Sequence, residues 1–130
     1  MQLYNLDFEL IPIKIDKDTN EKGELAEVVL NLVNEGKALL NLATNYTLSD
    51  IPINRNYNEA EYGVLTKNEI SSINKWALME SVLLDPVYSG RAFYGMLDCL
   101  KSKKLKQNSN ILFWHTGGLP ALFNYANGLK

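Results

Sequence analysis

Four large apolar residues in a row, Ile111-Leu112-Phe113-Trp114, lead straight into His115-Thr116-Gly117-Gly118 and then Pro120. An apolar run this short, without alternation, reads as a strand covered on both faces. Proline suits the first position of a helix, so Pro120 announces one, with Ala121, Leu122 and Tyr125 on its inner side. A buried strand that turns through glycines into a helix is the repeating unit of layered α/β proteins.

The rest of the chain fits that alternation. Residues 8–15 read as a strand, weakened by Pro12. Leu25, Val28, Val29, Leu32 and Val33 fall on one helical stripe, and the pattern runs on to Leu40. A short strand is expected near Asp50–Asn54. Thr66-Lys67-Asn68-Glu69 is a capping box that opens a helix, with Ile70, Ile73 and Ala77 inside. Leu83-Leu84 reads as a further short strand. A helix then starts near Ser89, with Ala92, Gly95, Met96, Cys99 and Leu100 on its inner face. The expected fold class is α/β: a layered αβα arrangement on a mainly parallel sheet, with residues 1–130 as a single unit lacking repeats or linkers.

Composition excludes several function classes. The net charge is −2, the pI about 5.4, and the one basic run, Lys101–Lys106, reads as a solvated helix end. No nucleic-acid partner and no membrane partner is expected. The single cysteine, Cys99, allows no intramolecular disulfide. With no signal peptide apparent, the cytoplasm is the expected location. One histidine and one cysteine make no metal-ligand pattern, and no Gly-x-Ser-x-Gly is present. Cys99, Trp76 and Trp114 read as packing residues.

A mainly parallel sheet places ligands at the carboxyl ends of its strands. Two segments fall there, Asp85-Pro86-Val87-Tyr88-Ser89-Gly90 and His115–Gly118. In the second, glycines admit a ligand close to the backbone and the Thr116 hydroxyl donates or accepts. A tight turn that binds nothing fits the same residues. In the first, Tyr88 and Ser89 precede a helix; turn, packing and capping roles account for them equally.

Together, however, Leu83-Leu-Asp-Pro-Val-Tyr-Ser-Gly-Arg-Ala92 and Ile111-Leu-Phe-Trp-His-Thr-Gly-Gly-Leu-Pro-Ala-Leu-Phe123 resemble two signature stretches of one enzyme family. Ile51-Pro52-Ile53, Tyr62-Gly63 and Thr66-Lys67-x-Glu69-Ile70 match it more loosely and in order. The family is that of D-cysteine desulfhydrase and 1-aminocyclopropane-1-carboxylate deaminase, pyridoxal-phosphate enzymes of the tryptophan-synthase-β-like fold (fold type II). The resemblance implies the C-terminal part of the large domain. It makes Tyr88 and, more weakly, Tyr62 the catalytic candidates. It places Thr116 opposite the pyridine nitrogen of pyridoxal phosphate, with Gly117 and Gly118 giving the ring room and Ser89 nearby. Ser89 stands where deaminase members tend to carry Glu and desulfhydrase members Thr, which leans toward the desulfhydrase branch.

The family's cofactor-linking lysine and Gly-rich phosphate loop precede the region resembled, and no counterpart of either is found. The expectation is therefore a fragment of a lyase or deaminase acting on a small amino acid. It would be inactive alone, and its complete enzyme would be a homodimer. A non-catalytic remnant, and one half of a split enzyme that needs an N-terminal partner, are the alternatives.

Overall fold

The computed structural model describes residues 7–15, 17, 24–58, 60–106 and 108–129. Where the sequence reads as one unit, contacts gather the chain into two compact groups. One holds Met1–Pro12 and Asp18–Asn54, the other Ile13–Lys17 and Arg55–Lys130.

The first group carries helix α1, Leu25–Leu39. Its apolar stripe is as expected from the sequence, but none of its residues is buried, and Val28 and Leu32 are 39% and 60% exposed. A turn of 3-10 helix, Leu48–Asp50, stands where a strand was expected to begin. The Asp50 carboxylate accepts from the Thr47 amide and hydroxyl, both at 2.8 Å. These bonds, the backbone one foremost, hold its carboxyl below the usual range.

The second group is built on two helices, α2 (Lys67–Glu80) and α3 (Ser89–Lys101), which pack on each other. The capping box that opens α2 forms as read: Glu69 accepts the Thr66 amide at 2.8 Å, and Thr66 accepts the Asn68 amide at 3.3 Å. Ser81, in the left-handed region at φ 57°, closes the helix. The core is Ile73, Leu84 and Phe93, flanked by Leu65, Trp76, Met96, Leu97, Phe113 and Leu129. Trp76 and Phe93 meet edge to face at 4.3 Å, and Phe113 lies 5.6 Å from Phe93.

Small residues on α3 serve close approach. A Cβ at Gly95 would lie 3.0 Å from the Ile13 side chain and 3.1 Å from the Tyr57 ring. Tyr57 donates to Asp98 at 2.8 Å and reaches the Cys99 sulfur at 3.5 Å. Burial, reinforced by those two neighbours, pushes its phenol well above the ordinary range. Leu100, expected inside, is 44% exposed. The helix instead turns Arg91 and Phe93 inward.

Arg91 is 1% exposed and Glu69 3%. Their side chains pair at 2.9 Å. The guanidinium also donates to the carbonyls of Ile15 and, at 2.7 Å, Val64. All of these donors find oxygen acceptors, the condition under which a buried ion pair is tolerable.

The largest correction concerns the sheet. None of the expected strands at 8–15, 50–54, 83–84 and 111–114 forms a ladder among the described residues. Bridge positions are confined to Ile13 and Asn54. A strand exists only through the neighbour that accepts and donates along its backbone, and here that pairing is limited to a bridge in which the Asn54 amide donates to the Pro12 carbonyl at 2.8 Å. Nor is 111–114 covered on both faces: Phe113 packs inside, while Leu112 and Trp114 are 83% and 77% exposed. Trp114 is thus no packing residue. The short helix expected after Pro120 is one 3-10 turn (Leu119–Ala121) followed by α4, Leu122–Tyr125.

Replacing Arg91 by Leu strands the Glu69 carboxylate in the core. The expected loss is about 3–5 kcal/mol of folding free energy, read as a lower urea midpoint. The double change Glu69→Leu/Arg91→Leu is expected to recover part of that loss.

Candidate active site

Asp85 organises the site. It is wholly buried. One carboxylate oxygen accepts from the amides of Val87 at 2.9 Å and Tyr88 at 2.7 Å. The other accepts from the Ser89 amide at 2.8 Å and from the Ser89 hydroxyl. Ser89 Oγ in turn accepts the Asp85 amide at 2.9 Å, and the Asp85 carbonyl accepts the Gly90 amide at 2.8 Å. Amides at the start of a helix have no partner within it, and a carboxylate there also meets the positive end of the dipole. Asp85 therefore caps α3 from four residues upstream, with Pro86 stiffening the link.

The cap fixes where the nearby side chains go. Ser89 is 2% exposed and its hydroxyl is engaged with Asp85, so it lies behind the surface. Tyr88 turns outward and is 45% exposed, which removes the packing role that the sequence left open for it. Its ring meets that of Tyr62 edge to face at 5.8 Å, and the two hydroxyls are in hydrogen-bond contact. Tyr62 is 58% exposed.

The Thr116–Gly118 turn rests on the same carboxylate. Gly118 has φ +91°, and a Cβ there would lie 2.6 Å from Asp85 Cγ. Both the backbone conformation and the contact demand glycine. Gly117, at φ +100°, differs: a Cβ there would meet nothing within 4 Å. Thr116 is exposed, and its hydroxyl finds no partner among the described residues. His115 is a staple. Its Nε2 lies 3.2 Å from the Leu83 carbonyl, and its Nδ1 accepts the Gly117 amide at 3.1 Å. With an amide donating to Nδ1, the ring proton belongs on Nε2, donated to Leu83.

A fourth segment closes the arrangement. Tyr125 of α4 donates to the Gly63 carbonyl at 2.5 Å, next to Tyr62. Four stretches of the chain thus meet. Tyr62–Gly63 joins Asp85–Ser89 through the tyrosine pair, Asp85–Ser89 joins His115–Gly118 through Asp85 and His115, and α4 returns to Gly63. Sequence reasoning had named Tyr62, Tyr88, Ser89, Thr116, Gly117 and Gly118; the fold brings them into one neighbourhood, with Ser89 buried beneath the surface on Asp85 rather than exposed on it. It had given Asp85 only a turn role and Tyr125 only a helix face. The signal for Asp85 was the Asp-Pro pair four residues ahead of a serine at a helix start.

Chemically, an open surface carrying two touching phenol hydroxyls and a free threonine hydroxyl can orient polar groups and hold or pass a proton. Among the described residues no group of three His, Cys, Asp or Glu side chains is placed to hold a metal ion. No helix among them is long and apolar enough to cross a membrane.

No family model matches the chain. Individual proteins do. A D-cysteine desulfhydrase of Yersinia enterocolitica is 44% identical over 77 residues, which is 59% of this chain and 23% of that protein. A 1-aminocyclopropane-1-carboxylate deaminase of Pseudomonas syringae pv. tomato is 33% identical over 100 residues, 77% of this chain and 30% of the deaminase. A crystal structure of an ACC deaminase homologue superimposes with a TM-score of 0.76 at 32% identity, over 92% of this chain and 34% of its own. The chain belongs to the D-cysteine desulfhydrase and ACC deaminase family. It spans about a quarter to a third of the length of the relatives it matches.

The two stretches that carry the resemblance are loops sharing one buried carboxylate. Asp85→Ala is expected to cost about 2–3 kcal/mol, because three amides lose their acceptor. Gly118→Ala is expected to destabilise clearly more than Gly117→Ala. Both incur the left-handed cost of about 1–2 kcal/mol, and only the first also collides with Asp85. Urea unfolding of the three variants measures all of this.

Proposed function

We propose that this chain is part of a pyridoxal-phosphate-dependent lyase or deaminase acting on a small amino acid and releasing ammonia and a 2-oxo acid, with sulfide as well if the substrate is D-cysteine. The observation that carries the reading is the double use of Asp85. The carboxylate that aims Tyr88 outward also seats Gly118, so the two stretches expose Tyr88, Thr116 and Gly117 together. A fold that needed only two tight turns would have no reason to present three hydroxyls on one open surface.

The residues present fit a flat aromatic cofactor. The space at Gly117 admits a ring against the backbone, and the unengaged Thr116 hydroxyl offers a neutral partner for a ring nitrogen. Thr116 and Gly117 would hold pyridoxal phosphate, which when bound supplies the electron sink for cleavage at the amino acid's α-carbon. A neutral hydroxyl there, rather than a carboxylate, would leave the ring nitrogen largely unprotonated and would temper that sink. Tyr88 orients the substrate or moves a proton near its reacting carbon, and Tyr62 sets the Tyr88 hydroxyl by hydrogen bonding to it. Ser89 acts from beneath, through Asp85.

The complete enzyme has a mainly parallel sheet to which 111–114 contributes, forms a homodimer and works in the cytoplasm. Ser89, standing where deaminase members tend to carry Glu, favours D-cysteine over the cyclopropane amino acid. The sequence shows no motif for the cofactor-linking lysine or the phosphate loop, so this chain by itself is expected to be inactive.

The test supplies the missing portion from the solved ACC deaminase homologue and assays 2-oxo acid and ammonia with D-cysteine and with 1-aminocyclopropane-1-carboxylate. Turnover is expected only in the joined protein. Tyr88→Phe is expected to lower kcat about 10²–10⁴-fold, the range of a lost acid–base group. Tyr62→Phe is expected to have a smaller effect. A joined, folded protein that turns over neither substrate, or a Tyr88→Phe variant with undiminished kcat, contradicts the proposal.

A further inference from the structure

The Thr116–Gly118 turn is fixed at its two ends by different chemistry. Gly118 rests on the buried Asp85 carboxylate, and its carbonyl accepts the Ala121 amide at 3.0 Å. Thr116 and Gly117 form the half that offers a hydroxyl and open backbone. A Cβ at Gly117 would meet nothing within 4 Å. The hydrogen bond that holds this half, among the described residues, is the Gly117 amide donating to His115 Nδ1 at 3.1 Å. The same ring reaches across to the Leu83 carbonyl, 3.2 Å from Nε2. One imidazole therefore ties the open half of the turn to the segment that leads into Asp85 and Tyr88.

The two contacts make opposite demands on the ring. A carbonyl needs a donor at Nε2, and an amide needs an acceptor at Nδ1. Both are met only by the neutral ring with its proton on Nε2. An imidazolium carries N–H on both nitrogens: Leu83 keeps its bond, and the Gly117 amide faces a second donor instead of a lone pair. The ring is exposed, so a proton reaches Nδ1 without unfolding. On the elements around it, 81–84 and 111–114 carry no charged side chain, and Glu80, which ends α2, is exposed. Asp85 lies under Gly118, bonded by three amides and a hydroxyl, and Tyr88 and Tyr62 present phenols. Carboxylates and phenols ordinarily titrate well below and well above imidazoles. We propose that His115 is a positioning residue for Thr116 and Gly117 that acts through the Nδ1 lone pair, holding their backbone when neutral and releasing it when protonated. Its consequence for pyridoxal phosphate rests on the proposed function; the hold itself does not.

The experiment follows the full 130-residue chain by NMR as the pH is lowered, reading the His115 ring nitrogens and the amides of 116–118. The neutral ring is expected to carry its proton on Nε2. The Gly117 amide proton is expected to move upfield, as on loss of a hydrogen bond, with the same midpoint as the ring. His115→Asn and His115→Gln separate the two contacts. The Asn carbonyl reaches the amide two residues on, as in an Asx turn, but is too short for Leu83. Gln is long enough to donate to Leu83 and leaves Gly117 without its acceptor. Asn is expected to keep the neutral-form Gly117 signal at every pH, and Gln to show the acid-form signal at every pH. In the joined protein, Gln is expected to weaken pyridoxal phosphate binding about two- to tenfold, the range of one lost hydrogen bond, and Asn to preserve it. A Gly117 signal that ignores the ring titration, or a neutral ring protonated on Nδ1, overturns the inference without any substitution. An Asn variant as disturbed as Gln, with helical circular dichroism unchanged in both, overturns it as well. A joined protein that takes up no pyridoxal phosphate, while the lone chain shows the coupled titration, leaves the hold standing and removes the catalytic reading.

Discussion

A single buried carboxylate sets the geometry of everything exposed around it. Asp85 accepts three successive amides and a hydroxyl, then serves as the floor on which Gly118 rests. The charge makes these bonds stronger than a neutral cap would, and burial makes losing any of them expensive. Tyr88 gains its direction from this cap, since its amide is one of the three. The Thr116–Gly118 turn gains its height from it, since no side chain larger than hydrogen fits at residue 118. Two loops separated by some 25 residues are thus tied to one carboxylate.

Behind this surface a second buried polar network does different work. Glu69 closes the cap of α2 with one oxygen and pairs with Arg91 through the other. Arg91 spends its remaining donors on the Ile15 and Val64 carbonyls. Each link joins a helix start to a segment with no regular structure. Apolar contact between α2 and α3 would set their distance but not the position of these loops. Directional bonds to named carbonyls do so, which is a specific gain to set against the desolvation of two charges.

The sequence announced the helices well and the site in part. Thr66 and Glu69 read as a capping box because that chemistry is local, complete within four residues, and it formed. Tyr88, Thr116 and the glycines were named because their types and order resemble a family's, and the fold gathers them around Asp85. Asp85 was passed over as a turn residue because its decisive partner, Gly118, lies far along the chain. Arg91 was given no role for the same reason, since only the fold reveals that Glu69, Ile15 and Val64 converge on it. The strands failed differently. Ile111–Trp114 has the composition of a buried strand, and composition reports what a segment needs, whereas a ladder reports what it has been given.

The exposed apolar residues then acquire a consistent meaning. An isolated domain that had evolved to stand in water would charge or cover an edge such as 111–114. Here Phe113 is packed as a strand residue should be, while its neighbours Leu112 and Trp114 face outward uncovered. The inner side is packed because Phe93 and Trp76 lie beside it; the outer side meets no such neighbour among the described residues. The site shows the same division. The supports under Tyr88 and Gly118 are all present, and the open space at Gly117 faces away from them. Core, edge and site thus divide alike: each is packed where its neighbours lie beside it and open elsewhere among the described residues.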